Sequence, residues 1–349
     1  MRNGPIAPWA ALLLALLCAA GCSTVSRWKQ EHRDASLRRE EADQAADAHA
    51  DPAAYQAMKR RMAQHDARLR TLQTALANRG DADSLAASAL FNRAFTGYSS
   101  ADTLQLAARA VAAAPTRADL AFVQLQLCET SPQCDATALE SQLLQLDPEN
   151  GVAWIYVLQR AERAKDPAAR GAAFYGLAQS KRIDLYWSRI VSHLAAAGAA
   201  TAGFDSGAAL TQVIGLEATF ALAFDPISAL CLAPQLQPDL LDPCRQIAAA
   251  FRQGDTAVVE AYGTSLALNL WPAGSPQRVA VAAERRQLRY RVDLTHRNRA
   301  KLNSPQAART LAAMVGHYPT EQATYRALYI RLGLDPDPPD TWKEATPGG

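Results

Sequence analysis

The stretch Pro115-Thr116-Arg117-Ala118-Asp119-Leu120-Ala121-Phe122 returns as Pro148-Glu149-Asn150-Gly151-Val152-Ala153-Trp154. It returns again, without the proline, as Ser180-Lys181-Arg182-Ile183-Asp184-Leu185-Tyr186-Trp187. Counting from Phe91, the closing aromatics Phe122, Trp154 and Trp187 stand 31, 32 and 33 residues apart. Between two such phrases there is room for two helices. In the middle unit, 152–163 is followed by an Asp166-Pro167 break and then by 168–180. Asp166 suits a helix cap, and Pro167 suits the first helical position, where a backbone N–H is not needed. A single helix pair cannot bury its apolar face alone, so stacked neighbours must supply the cover and the pattern must recur. Alanine runs, 7% aromatic residues, only 18 Gly in 349 residues and the absence of strand-like alternation agree on an all-α fold.

The period, the two helices per unit and the phrase Leu146-Asp147-Pro148-Glu149-Asn150 opening onto Ala153-Trp154 resemble tetratricopeptide-type repeats. The resemblance spans residues 84–200, about a third of the chain. It implies a TPR-like α-solenoid of about three to four helix pairs over 81–206, with an extended surface for another protein. Trp154, Tyr156, Tyr186 and Trp187 read as repeat core rather than contact surface. Over 207–334 the period is lost, while 208–222, 239–251, 256–270, 277–299, 305–315 and 320–332 continue to read as helices between Pro, Gly and Asp breaks. Residues 335–349, beginning DPDPPDTWKEATPGG, read as a disordered end.

At the other end, Arg2 precedes the uncharged run of residues 10–20, too short to span a bilayer, which takes roughly twenty apolar residues. A positive start, a short apolar run and small residues form the pattern of a secretory signal peptide. Its close, Ala19-Ala20-Gly21-Cys22-Ser23, resembles the lipobox of bacterial lipoproteins, with Ala19 where Leu is usual. That resemblance implies removal of residues 1–21, lipidation of Cys22, and a bacterial envelope protein facing the periplasm, with Ser23 suiting the outer membrane. Ordinary cleavage after Gly21 is the alternative. Residues 22–54 then read as anchor and charged spacer, since Trp28 and Leu37 are the only large apolar residues in 26–51.

Tyr55, Met58, Met62, His65, Leu69, Leu72 and Leu76 alternate at spacings of three and four. This a/d seam makes 55–80 either an amphipathic helix packed on its own domain or a coiled-coil seam for a homodimer through 55–76. In the second case His65 would be a pH-sensitive register residue; otherwise it is an exposed histidine.

Loss of residues 1–21 leaves five cysteines. Cys22 is the lipid site, and Cys128, Cys134, Cys231 and Cys244 can pair in an oxidising compartment. The most local pairing joins 128 to 134 and 231 to 244. Neither pair has the Cys-x-x-Cys spacing or the histidine neighbours of a redox or metal site. The six histidines form no His-Glu-x-x-His set, and neither a nucleophile elbow nor a phosphate or dinucleotide loop is present. Asp293 and His296, one turn apart, read as an exposed helical pair rather than as orienter and base. No catalytic residue, cofactor or metal set is read.

With 36 Lys+Arg against 34 Asp+Glu, the chain has no field to steer it to nucleic acid. One patch departs from this balance. Between Glu284 and Lys301, seven basic residues face only Glu284 and Asp293. Arg285, Arg289, Asp293, Arg297 and Lys301 recur every four residues as one helical stripe, beside an expected buried stripe of Leu288, Val292, Thr295 and Leu302. The stripe is either a solvated helix back or a face for an anionic partner, Arg285, Arg289, Arg297 and Lys301 being its cations. The expected function is a membrane-anchored, non-catalytic helical-repeat scaffold for another envelope protein. The alternative is an envelope enzyme or small-ligand-binding protein with a pocket between the repeats and the C-terminal helices.

Overall fold

A computed structural model describes residues 52–96, 99–129, 131, 134–201, 206–217, 224–233 and 235–343. Cys22, its leader and the spacer up to residue 51 lie outside the described residues. The described residues are all-α. They form sixteen α-helices: α1 (Pro52–Arg79), α2 (Ala82–Thr96), α3 (Ala101–Ala113), α4 (Ala118–Cys128), α5 (Ala136–Leu146), α6 (Val152–Ala164), α7 (Pro167–Ala178), α8 (Trp187–Ala199), α9 (Ser206–Glu217), α10 (Asp225–Cys231), α11 (Leu241–Arg252), α12 (Ala257–Leu270), α13 (Pro276–Arg297), α14 (Arg299–Leu302), α15 (Pro305–Met314) and α16 (Glu321–Arg331). A 3-10 turn at Pro238–Leu240 precedes α11. Asn150 and Arg182 make an isolated parallel bridge.

The helices start where the sequence can satisfy their first N–H groups. Ser100, Asp135, Asp166, Thr256, Ser275, Ser304 and Thr320 each place a side-chain oxygen on a first-turn N–H. Asp166 accepts from the N–H of Ala168 and of Ala169, both at 3.0 Å, with Pro167 at the first position as expected.

The chain divides into two units, one up to Arg68 and one from Leu69 onward. In the first, the described residues are the upstream part of α1, where Met58 is 45% exposed and Lys59 lies over the Tyr55 ring. In the second, Leu69, Leu72 and Leu76 are buried in the core, and Gln73 donates to Ser88 Oγ on α2 at 3.2 Å. These three seam leucines are part of the core of the chain's own domain.

Within this second unit, α2 to α7 pack each on the next in line. The repeat period is written into the polar contacts. Asp83 meets Arg117, Glu129 meets Arg163 and Asn150 meets Asp184, each across 34 residues, and Asp147 meets Arg182 across 35. The same offset persists where the aromatic phrase disappears. Ser228 meets Tyr262 and Thr295 meets Tyr329 across 34 residues, and Arg252 meets Glu284 across 32. Beyond residue 207 the signature aromatic is therefore lost while a comparable spacing between paired helices remains. The pair α8 and α9 leaves the line: α8 packs back on α2 and α4, and α9 on α2 and α15. Meanwhile α10 packs on α6 and α11 on α7.

The repeated aromatics fill the core. Phe91, Phe122 and Trp187 are buried, and Phe122 meets Tyr186 and Tyr156 at ring distances of 5.5 and 6.3 Å. Trp154 lies flat against Gly176, where a Cβ would stand 2.5 Å from the indole. At the α11–α12 contact it is backbone that comes close, since a Cβ on Gly263 would stand 2.6 Å from the backbone of Arg252.

Two sequence expectations are corrected. The tail expected to be disordered from Asp335 is packed as far as the described residues reach. Trp342 meets the Tyr290 ring edge-on at 5.4 Å and donates from Nε1 to Asp293 at 2.9 Å, and Arg326 holds both oxygens of Asp337 at 2.6 Å. Val292, placed in a buried stripe of α13, is 55% exposed. Helix α13 instead buries Tyr290 and Leu294, which cluster with Tyr329 beside Trp342 of the packed tail.

Candidate functional site

The repeated phrases bring helix N-termini side by side, and acidic side chains tie them together. Asn150 accepts from the N–H of Val152, capping α6, and from the N–H of Asp184 at 2.9 Å, while its amide donates to the Asp184 carbonyl at 2.8 Å. Arg182 reaches both Asp147 oxygens at 2.8 Å, and the Tyr186 hydroxyl donates to the same carboxylate at 2.9 Å. Tyr186 has a left-handed backbone, φ 59°, which costs a non-glycine residue about 1–2 kcal/mol. It is held there by its neighbours. Its N–H donates to Asp184 at 2.6 Å, and the N–H groups on either side, Leu185 and Trp187, donate to the two oxygens of Asp255 at 2.8 and 2.7 Å.

Asp255 is 4% exposed, and its own carbonyl accepts from the N–H of Glu321 at 2.7 Å. Glu321 in turn accepts from the N–H of Ala257 at 2.7 Å. The starts of α8, α12 and α16 are thus joined through two carboxyl groups. Burial pushes the Asp255 carboxyl well above the ordinary carboxylate range, and the neighbouring Asp184 adds to this against the pull of two backbone N–H groups. Burial likewise raises Glu321, opposed by the Ala257 N–H.

Beside this junction lies a cavity of about 330 Å³. Helix α12 contributes Ala257 and Ala261, α13 contributes Leu288, Arg289, Arg291, Val292 and Thr295, and α16 contributes Glu321, Gln322, Tyr325 and Tyr329. Arg291 donates to Gln322 at 2.9 Å and stands 3.9 Å from Glu260, whose carboxyl burial raises and Arg291 lowers. Thr295 and Tyr329 share a hydrogen bond at 2.7 Å, and burial raises the Tyr325 phenol. Mostly apolar walls with a few fixed polar groups are the make-up of a small-molecule site. A second hollow, about 390 Å³, lies between Asp184–Arg189 and Gly316–Pro319.

The residues singled out from the sequence fall as follows. Cys128 bonds to Cys134 and Cys231 to Cys244, the local pairing, with Cα separations of 5.3 and 5.5 Å. Arg285 and Arg289 share a face of α13, and Arg289 lines the cavity. Burial, followed by the charge of Arg285, lowers the Arg289 guanidinium. Arg297 pairs with Asp293 at 2.9 Å and lies over the Tyr290 ring. Lys301 does not continue the stripe: α13 ends at Arg297, and from α14 its ammonium donates to the Leu332 carbonyl at the end of α16. Asp293 is engaged by Arg297 and Trp342, so it does not orient His296. Tyr156, Tyr186 and Trp187 are buried and Trp154 is partly so, packed on the core. The side chains of Met62 and His65 lie outside the description. Among the described residues, no group of three or more His, Cys, Asp or Glu residues is placed to hold a metal ion, and no helix is long and apolar enough to cross a membrane.

The sequence reading missed Asp255 and Glu321. Asp255 immediately precedes the capping Thr256 and Glu321 follows the capping Thr320, so each reads as an ordinary acid at a helix start. Comparison with protein-family models, with curated proteins and with solved structures finds no match to this chain.

Proposed function

We propose that this protein is an exported bacterial envelope lipoprotein, anchored through a lipid on Cys22, whose stacked helix pairs act as a non-catalytic scaffold for another envelope protein. The recurring contact offset of about 34 residues carries the reading. Helix pairs in repeating register build a continuous surface from similar units, which is how such stacks present extended binding faces. Two disulfides support an oxidising compartment, in keeping with the signal-like leader and with the periplasmic face of the outer membrane. Two or more acyl chains on Cys22 would anchor it stably, at about 0.8 kcal/mol per buried methylene.

The test has two arms in bacteria that make the full chain. Labelling with a palmitate analogue and membrane fractionation, repeated on Cys22→Ser, should show a label and a membrane association that the variant loses. An unlabelled wild-type chain in the soluble fraction would end the anchor reading. Photo-cross-linking from Tyr175, a 47% exposed aromatic on α7, should capture one recurring envelope protein. Capture of nothing from this face and from several others along the stack would end the scaffold reading.

A further inference from the structure

The polar groups of the cavity between α12, α13 and α16 fall into two sets. The charged set is already engaged. Arg291 donates to Gln322 at 2.9 Å and stands 3.9 Å from Glu260, Glu321 accepts from the N–H of Ala257 at 2.7 Å, and Arg289 has a partner of its own. Two guanidinium groups, Arg289 and Arg291, stand with two carboxyl groups, Glu260 and Glu321, so no charge is in surplus. The uncharged set is not used up. Gln322 gives its carbonyl oxygen to Arg291 but its amide N–H groups to no described residue, and the Tyr325 hydroxyl has no hydrogen-bond partner among the described residues. These two residues lie one helical turn apart on α16 and both line the cavity. The rest of the wall is apolar, from Ala257, Ala261, Leu288 and Val292. The Tyr325 ring is held by tilted contacts with Trp187 and Tyr329, each at 6.3 Å, so its wall is formed before a ligand arrives.

We infer that this cavity binds an uncharged ring compound bearing one amide, carbonyl or hydroxyl group. The ring lies against Leu288, Val292 and Tyr325, and the polar group meets the Gln322 amide and the Tyr325 hydroxyl. At roughly 30 Å³ per non-hydrogen atom, the space of liquid water, the volume takes on the order of ten such atoms, a single ring and its substituent. The ligand is neutral because an ion entering here gives up its water and finds no uncommitted counter-charge, whereas a neutral acceptor finds donors that nothing else occupies. The site is independent of the lipid on Cys22 and of any protein partner.

The full chain, reconstituted in phosphatidylcholine nanodiscs, is titrated by calorimetry with benzamide, benzoate and benzamidinium, with empty discs subtracted. The three share one shape and differ in charge: neutral, anionic and cationic. Benzamide should bind at one saturable site, and each ion about tenfold more weakly or worse. Tyr325→Phe removes the hydroxyl, keeps the ring and should weaken benzamide about fivefold, for the loss of one hydrogen bond. Ala261→Trp, at an exposed lining position, should abolish binding by filling the mouth, with circular dichroism showing that each variant folds. Should a variant fail to fold, the order of the three compounds on the unaltered chain decides. Absence of saturable binding, an ion that binds as tightly as benzamide, or undiminished benzamide binding by either folded variant overturns the inference.

Discussion

Asp255 shows how one side chain does the work of a segment. Its two oxygens accept the N–H groups on either side of Tyr186 and so hold a tyrosine in the left-handed region beneath the aromatic core. Asp255→Ala leaves both N–H groups buried without an acceptor, and each such loss costs about 1–3 kcal/mol. Urea denaturation should report a fall of that size or larger, and a change under about 0.5 kcal/mol would mean that water replaces the carboxylate. Glu321 carries a prediction about pH. Its carboxyl is raised above 4.5 in the folded chain, so the folded state binds the extra proton. The resulting stability is full below the unfolded value and is lost as pH rises through the folded one. Glu321→Gln keeps an acceptor for the Ala257 N–H and does not titrate. Measured from pH 4 upward, its stability should gain on the wild type as pH rises; a gap that stays constant or narrows contradicts the assignment.

Element by element, local chemistry and packing contribute differently. Caps and breaks marked most helices of the second unit, including the Asp166-Pro167 start of α7, because a side-chain oxygen on a first-turn N–H is a local event. Which face of a long helix is buried is not local. α13 was expected to bury Val292, which is exposed; it buries Tyr290 and Leu294 instead, and Tyr290 packs on a segment some fifty residues later in the chain. There Trp342 meets Tyr290, donates to Asp293 and lies under Arg286. Truncation by Trp342→Ala should cost about 1–2 kcal/mol, the worth of an aromatic pair plus a cation–π contact. Hydrogen exchange should accelerate over 335–343 while the α11–α12 pair stays protected; unchanged exchange in the tail would show that Arg326 and Asp337 suffice to hold it.

At the scale of the whole molecule, the disulfides constrain the unfolded chain. Closing 13 residues between Cys231 and Cys244 is worth about 3 kcal/mol by chain entropy, and the 6 between Cys128 and Cys134 about 2. Replacing the first pair by serine should therefore lower the unfolding free energy more than replacing the second. The reverse order would show that native packing around Cys128 outweighs loop length.

Composition, capping residues and the recurring aromatic pointed to the all-α fold and the helix-pair period, and the spacing of the cysteines to the local pairing. All three follow from forces acting within one or two helical turns, or from a pattern that each unit must repeat to be buried. The return of α8 to α2, the junction of Asp184, Asp255 and Glu321, the docked Trp342 and the cavity at Arg289 were decided by tertiary structure alone. They join residues about 30 to 130 positions apart. Burial, which sets the protonation of those carboxyl groups, belongs to the packed molecule and to no single stretch of the chain.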